Sequence, residues 1–233
     1  MMDIKLQSKK EKENNREYAY RILHSNIMTL QLPPGSILNE GELSQLLSVS
    51  RTPVHEAIIK LQSEYLVNVY PQSASKVSLI NVEFLKEGLF LRSIIEPAII
   101  KKIAGLVSSQ GLLPLQENLE QQLLAISSED PINTFFNLDD EFHHLIYDLA
   151  NKQNTWYSVK SVCSHYDRAR YIDAIFNKTD LKDIYNEHKK IYHYVLMGIT
   201  QEVEFDQFYK NHLHTFDKGF DKLIEHYSQY FII

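Results

Sequence analysis

With 233 residues, 44% of them hydrophobic, the chain is long enough for one large domain or two ordinary ones with real cores. Its one cysteine, Cys163, excludes an internal disulfide, and no apolar run approaches the ~18 residues of a membrane span or forms a signal-peptide core, so a reducing, cytoplasmic setting without membrane contact is expected. The net charge of −6 argues against nucleic acid, but residues 1–80 carry 9 Lys/Arg against 8 Asp/Glu while residues 81–233 carry 15 against 22, so only the first part can approach a polyanion.

Taken in chain order, the first fifteen residues, including KKEKENN, are polar and mixed in charge and read as a frayed start or helix extension. From Arg16 the apolar positions Tyr20, Ile22, Leu23, Ile27 and Leu30 recur at helical spacing until Pro33, Pro34 and Gly35 stop the helix. Asn39, with Glu42 three residues on, caps a short second helix through Leu43, Leu46 and Leu47. Ser50 caps a third, with Pro53 in its first turn and Val54, Ile58, Ile59 and Leu61 on its buried side. The period then changes to two in Leu66–Tyr70 and again in Lys76–Ile80, which predicts a small hairpin. Three short helices and a hairpin are the order of a winged helix-turn-helix, whose third helix enters the major groove of double-stranded DNA.

After Asn81 no strand pattern remains. Breaks at 111–114, 127–131, 151–154, 177–180 and 198–202 divide the rest into about six helices, the first expected to kink at Pro97. The fold class is therefore mainly α: a winged helix-turn-helix over 1–80 with a small β-hairpin, then an all-helical bundle over 81–233.

The run PPGSILNEGELSQLLSVSRTPVHEAIIKLQSEYLV resembles the winged-helix head of the GntR family of bacterial regulators, above all in VSRTPVxEA in register with an upstream PPG. The resemblance implies DNA contact by Arg51, with Thr52 and His55 on the same side of the third helix, Ser50 at its start and Lys76 in the wing. Where relatives have Arg at position 55 this chain has a shorter histidine, Gly41 stands where relatives often carry Arg, and the wing tip Gln72-Ser73-Ala74-Ser75 has no glycine; weaker or altered operator binding is expected.

Eight of the ten histidines follow residue 81. Asp139 and His143 stand four apart in one predicted helix, so both side chains project from one face, either as a metal pair or as a plain surface pair; His144 is turned about 100° away. Later helices place His188 and His212 as inward candidates, with His193 and His214 on other faces. LRSIIEP, NLDDEFHHLIYDLANKQN, NEHKKIYHYVLMGI and YKNHL follow in the order of the FCD ligand-binding domain of the FadR branch of GntR regulators, and that resemblance implicates Asp139, His143, His188 and His212 together. Such a set suits a divalent ion, Zn, Ni, Co or Mn, with remaining positions open to water or to an acid oxygen. The resemblance also implies a small carboxylate effector, with Arg92, Arg170 and Asn154 as contacts; Arg92 reads equally as a helix-surface partner of Glu96 at i+4. The stripe Phe205, Phe208, Tyr209, Phe216, Phe220, Tyr227 reads as core or dimer surface.

The leading expectation is a homodimeric repressor on a two-fold operator, relieved by its ligand. Its rivals are a metal-dependent enzyme activating water at the Asp/His site, for which no nucleophile or base motif is present, and a regulator whose helical domain only dimerises.

Overall fold

A computed structural model describes residues 4–70, 74–214 and 219–233. The wing-tip residues Gln72 and Ser73, and Phe216 of the aromatic stripe, lie outside the described residues. The chain divides into two compact units: 1–86 with 161–172 and 221–233, and 87–160 with 173–220. This grouping departs from a single cut after residue 80, because two later segments pack with the head.

In the first unit, helix α1 (Asn15–Met28) begins at a reciprocal capping box, Asn14 accepting from the Glu17 N–H and Glu17 accepting from the Asn14 N–H. It buries Ala19, Ile22, Leu23 and Ile27. It ends at Met28, short of the prolines, and Leu30 then adopts a left-handed φ of 59°. The polar start is tied down: Asn26 exchanges hydrogen bonds with the Lys5 backbone (2.7 and 3.0 Å), and Arg21 reaches Gln7, the Ser8 carbonyl and Glu13. Composition points to a frayed start or a helix extension, since it cannot register contacts twenty residues apart.

Strand β1 (Ile37–Leu38) was not foreseen; two residues carry no readable alternation. Helix α2 (Glu40–Leu47) starts at Asn39, whose side chain accepts from the Gly41 and Glu42 N–H groups, and stops at left-handed Ser48. Helix α3 (Arg51–Ser63) follows; Ser50 holds the N-cap backbone position but makes no side-chain capping bond, contrary to expectation. The hairpin is β2 (Val67–Asn68) and β3 (Ser75–Val77), paired Val67 to Val77 and Asn68 to Lys76. β1 pairs with the other edge of β3, Ile37 opposite Lys76. Val54, Ala57, Ile58 and Leu61 of α3 close the core with Leu43, Leu47, Leu66 and Val77.

The expected strand over 76–80 is broken at Ser78, whose carbonyl and hydroxyl accept from the Arg168 guanidinium (2.8 and 3.0 Å). Beyond it, β4 (Ile80–Asn81) pairs in parallel with β5 (Phe231–Ile232), which corrects the expectation of no strand after Asn81. Helix α8 (Ser164–Phe176) adds a Ser164 hydroxyl bond to the Glu64 carbonyl at the C-terminal end of α3 (2.9 Å). Arg168, fully buried, stacks its donors on Ser78, the Ser164 carbonyl and His165 Nδ1, and burial lowers it to about 9, still a cation at neutral pH. Helix α11 (Phe220–His226) leads to β5 through a short 3-10 turn at Ser228–Tyr230.

The second unit is helical. Helix α4 (Val82–Ile103) continues through Pro97; α5 (Leu113–Ala125) and α6 (Pro131–Leu149) follow, then α7 (Gln153–Val162), α9 (Leu181–Met197) and α10 (Glu202–Leu213). The break at Cys163 between α7 and α8 carries no Gly or Pro signal and was not expected. Ala125, Phe135, Leu181 and Ile184 pack α5, α6 and α9 together. Among the described residues, no helix is long and apolar enough to cross a membrane.

Candidate functional site

The start of α3 presents Arg51, Thr52 and His55 to solvent, with Ser50 exposed before them and Lys76 exposed on β3. The first turn of a helix leaves N–H groups without intrahelical acceptors, so a phosphate can meet backbone donors and the Arg51 guanidinium together. Arg51 leans over α2: a Cβ added at Gly41 would lie 3.3 Å from its Nη2. The missing side chain at Gly41 therefore leaves room for the arginine that follows ten residues later. His55 is held by Glu40, Nδ1 to Oε1 at 2.8 Å, so its ring is engaged by an acid at the surface.

The second unit buries an ionisable cluster. Asp139 and His143 project from one face of α6, His188 comes from α9 and His212 from α10, and all four are buried. His143, His188 and His212 each offer a ring nitrogen within 4.8 Å of the others, with the two Nε2 atoms of His143 and His212 3.5 Å apart. Asp139 Oδ1 lies 3.4 Å from His188 Nε2. The four residues assembled from sequence are thus neighbours in space. Phe142 stacks on His188 with centroids 4.5 Å apart and keeps that side apolar.

The opposite edge of each ring decides what the cluster can do. His188 Nδ1 contacts Gln122 Oε1 at 2.8 Å and His212 Nδ1 contacts Glu187 Oε2 at 2.7 Å, while His143 Nδ1 faces Glu96 Oε2 at 3.3 Å. An amide oxygen or carboxylate accepts, so in the neutral form of His188 and of His212 the proton belongs on Nδ1 and the lone pair on Nε2. Lone pairs and a carboxylate then face one another in a buried space, an arrangement that a cation satisfies. Two nitrogens bound to one ion at ~2.0–2.1 Å in tetrahedral geometry stand ~3.3 Å apart, close to the separation of the His143 and His212 Nε2 atoms. The residues therefore fit a divalent ion, with the Nδ1 partners as its outer support.

Glu96 of α4 is the hub of that support. It accepts from Arg92 Nε (2.8 Å) and Nη2 (3.3 Å), from Tyr209 Oη (2.6 Å) and from Tyr147 Oη (3.5 Å). Burial pushes its carboxyl up, but Arg92 and His143 together hold it well below the ordinary carboxylate range. Burial and then the Glu96 charge raise the Tyr209 phenol far above its usual value, and burial lowers His212 against the opposing pull of Glu187. The Arg92–Glu96 pair forms, as spacing allowed, but in the interior rather than on a helix surface.

Asn154 is exposed in the first turn of α7, where its carbonyl accepts from Ser158. Arg170 belongs to the first unit, buried with its guanidinium 5.6 Å from the Tyr166 ring centroid. His144 packs on Trp156 away from the other histidines, and His193 is exposed. Phe205 and Tyr209 of the aromatic stripe are core residues. Sequence reasoning misses Gln122, Asn118 and Glu187; the first two leave only a pair of amides four apart on one helix, and Glu187 leaves only its place directly before His188.

Comparison with known proteins agrees with this architecture. Residues 15–77 match the bacterial regulatory proteins of the gntR family, and residues 87–204 match the FCD domain. The chain is 37% identical over 153 residues, 66% of this chain and 67% of the other, to the HTH-type transcriptional repressor RspR of Escherichia coli K12. It is 32% identical over 185 residues to an HTH-type transcriptional regulator in an unstable DNA locus of Streptomyces ambofaciens, covering 79% of this chain and 76% of that one. The solved structure of E. coli McbR/YncC shares the fold, with a TM-score of 0.71 and 20% identity over 92% of this chain and 99% of that one. The chain belongs to the GntR family of bacterial regulators and is a DNA-binding transcriptional regulator with an FCD domain.

Proposed function

We propose that this regulator is a homodimeric repressor whose DNA affinity is set by a small carboxylate bound at a divalent metal, Zn, Ni, Co or Mn, held by Asp139, His143, His188 and His212. The observation that carries the reading is the convergence of three buried histidine rings, two of which set Nδ1 against an acceptor oxygen and so turn their Nε2 lone pairs inward, beside His143 and Asp139. A bound ion would supply a positive centre for an acid oxygen; Arg92 and Glu96 would orient His143 from behind it. Arg92 remains our candidate for a second effector contact because it is the cation of this same wall.

The DNA-contacting part is assigned to 1–80, with Arg51 as the main contact and Thr52, His55, Ser50 and Lys76 around it, and ligand binding and dimerisation to 81–233. Exposure of these five side chains around the start of α3 and on β3 supports the first assignment. Repression is the activity named for RspR, and a two-fold operator needs two heads about one DNA turn apart. An effector shifts the DNA equilibrium only by binding the competent and incompetent states with different affinity.

Metal content of untagged protein, measured beside His143→Ala and His188→Ala, tests the site; equal content in all three sinks it. Footprinting on the gene's own upstream region at two salt concentrations tests the head, with Arg51→Ala expected to weaken protection and reduce the salt slope.

A further inference from the structure

Two buried amides on α5, Asn118 and Gln122, stand behind the histidine cluster without belonging to its ligand set. We propose that they form a positioning relay that fixes which nitrogen of His188 carries the proton, and so which atom His188 presents to the metal. The inference rests on the metal reading for its purpose but not for its geometry.

An amide side chain has two ends of opposite character, and its rotation by half a turn exchanges a donor for an acceptor. Gln122 is locked against that exchange. Its Nε2 donates to Asn118 Oδ1 at 2.7 Å, which leaves Oε1 as the end that meets His188 Nδ1 at 2.8 Å. Asn118 is locked in turn, because its Nδ2 donates to the Leu138 carbonyl (3.1 Å) and toward Glu141 Oε2 (3.4 Å), both acceptors. The Leu138 carbonyl cannot donate, so the direction of every bond in the chain Leu138, Asn118, Gln122, His188 follows from it. The outcome is Nδ1–H and an Nε2 lone pair on His188. Leu138 precedes Asp139, so the relay ties the α6 turn bearing one proposed ligand to the α9 ring bearing another. His212 has a carboxylate in the equivalent role, Glu187, and the His143 Nδ1 edge stands 3.3 Å from the Glu96 carboxylate, whereas His188 depends on a neutral group whose orientation must be set by a neighbour. Outer-shell partners of this kind typically change metal affinity about 10- to 100-fold when removed.

The test uses the full-length protein in two measurements. In EDTA-treated protein, long-range ¹H–¹⁵N correlation spectra distinguish the two neutral tautomers of His188. Wild type is expected to show Nδ1–H, Gln122→Met a mixture or the other tautomer, and Gln122→Glu, which keeps an acceptor on Nδ1, the wild-type form. Titration with Co²⁺, followed by its absorption, is expected to show a loss of about 10- to 100-fold in Gln122→Met and no comparable loss in Gln122→Glu. Asn118→Leu frees Gln122 to rotate and is expected to fall between them. A wild-type tautomer in Gln122→Met, or the Nε2–H form in wild type, would overturn the relay. If wild type takes up no Co²⁺ the metal reading fails, and the tautomers of the metal-free protein still judge the relay. Should Gln122→Met not fold, Gln122→Glu and Asn118→Leu decide it by the same spectra: the Nε2–H form in the first, or an unchanged ring in the second, overturns it.

Discussion

Replacing Glu96 by Gln keeps the volume of the side chain and one acceptor oxygen, but removes the charge and turns the other end into a donor. In the native unit both carboxylate oxygens are used: Oε1 by Arg92 Nε at 2.8 Å, and Oε2 by Tyr209 at 2.6 Å and Arg92 Nη2 at 3.3 Å. Two effects compete. Losing a buried charge relieves desolvation, whereas leaving the Arg92 guanidinium without this carboxylate costs attraction in a medium of low dielectric. The direction of the Glu96 titration decides between them: although burial pushes the carboxyl up, Arg92 and His143 hold it below the ordinary range, so attraction exceeds desolvation. Breaking a buried pair from one side costs about 3–5 kcal/mol, and Glu96→Gln is expected to lose on the order of 3 kcal/mol. Adding Arg92→Met removes both charges and should restore at least ~2 kcal/mol, since apolar replacement of a whole pair is close to neutral. Urea unfolding of the four proteins of this cycle, all in EDTA, supplies the coupling energy. A single substitution costing under ~1 kcal/mol, or a strictly additive cycle, would refute the reasoning.

Other expectations follow from separate features. His165 is buried against Phe84, accepts at Nδ1 from Asn81 and Arg168, and is held neutral to about pH 3 by burial and then by the Arg168 charge. Its folded value lies below the unfolded one of ~6.5, so its contribution to stability is present above that pH and is lost as pH falls toward 3. At pH 5 the loss is ~2 kcal/mol, and a pH series of urea midpoints should show that part vanish in His165→Phe. Gly105 has φ of +72°, and a Cβ there would stand 3.3 Å from the Gly198 Cα, so Gly105→Ala is expected to cost at least ~1–2 kcal/mol in thermal unfolding. A divalent ion at a hundred times its dissociation constant should stabilise the second unit by ~2.7 kcal/mol, an increment absent from His188→Ala; an equal Tm gain in both would place the ion elsewhere.

What the sequence made legible was local. Asn39 three residues before Glu42 and the four-residue spacing of Asp139 and His143 are patterns within one helical turn, and they locate α2 and the ligand face of α6. Spacing marks His188 and His212 only as inward candidates, because their meeting depends on how α9 and α10 pack, and it is the family resemblance that joins them to Asp139 and His143. The β1 and β5 strands escaped notice since two residues show no period. The burial of Arg168 carries no local sequence signal, since its partner Ser78 stands ninety residues earlier. Gln122 and Asn118 resemble the exposed glutamines around them in α5 until α6 and α9 cover them.

The pairing of β4 with β5 makes the winged head something other than a detachable cassette. Excised after residue 80, it would forfeit the Arg168 donors on Ser78, the Ser164 hydroxyl on Glu64 and the strand opposite Ile80. Grafting this reader of DNA onto a foreign sensor would therefore require α8 and the final strand to travel with it, so that a contiguous stretch of gene does not encode a self-sufficient part.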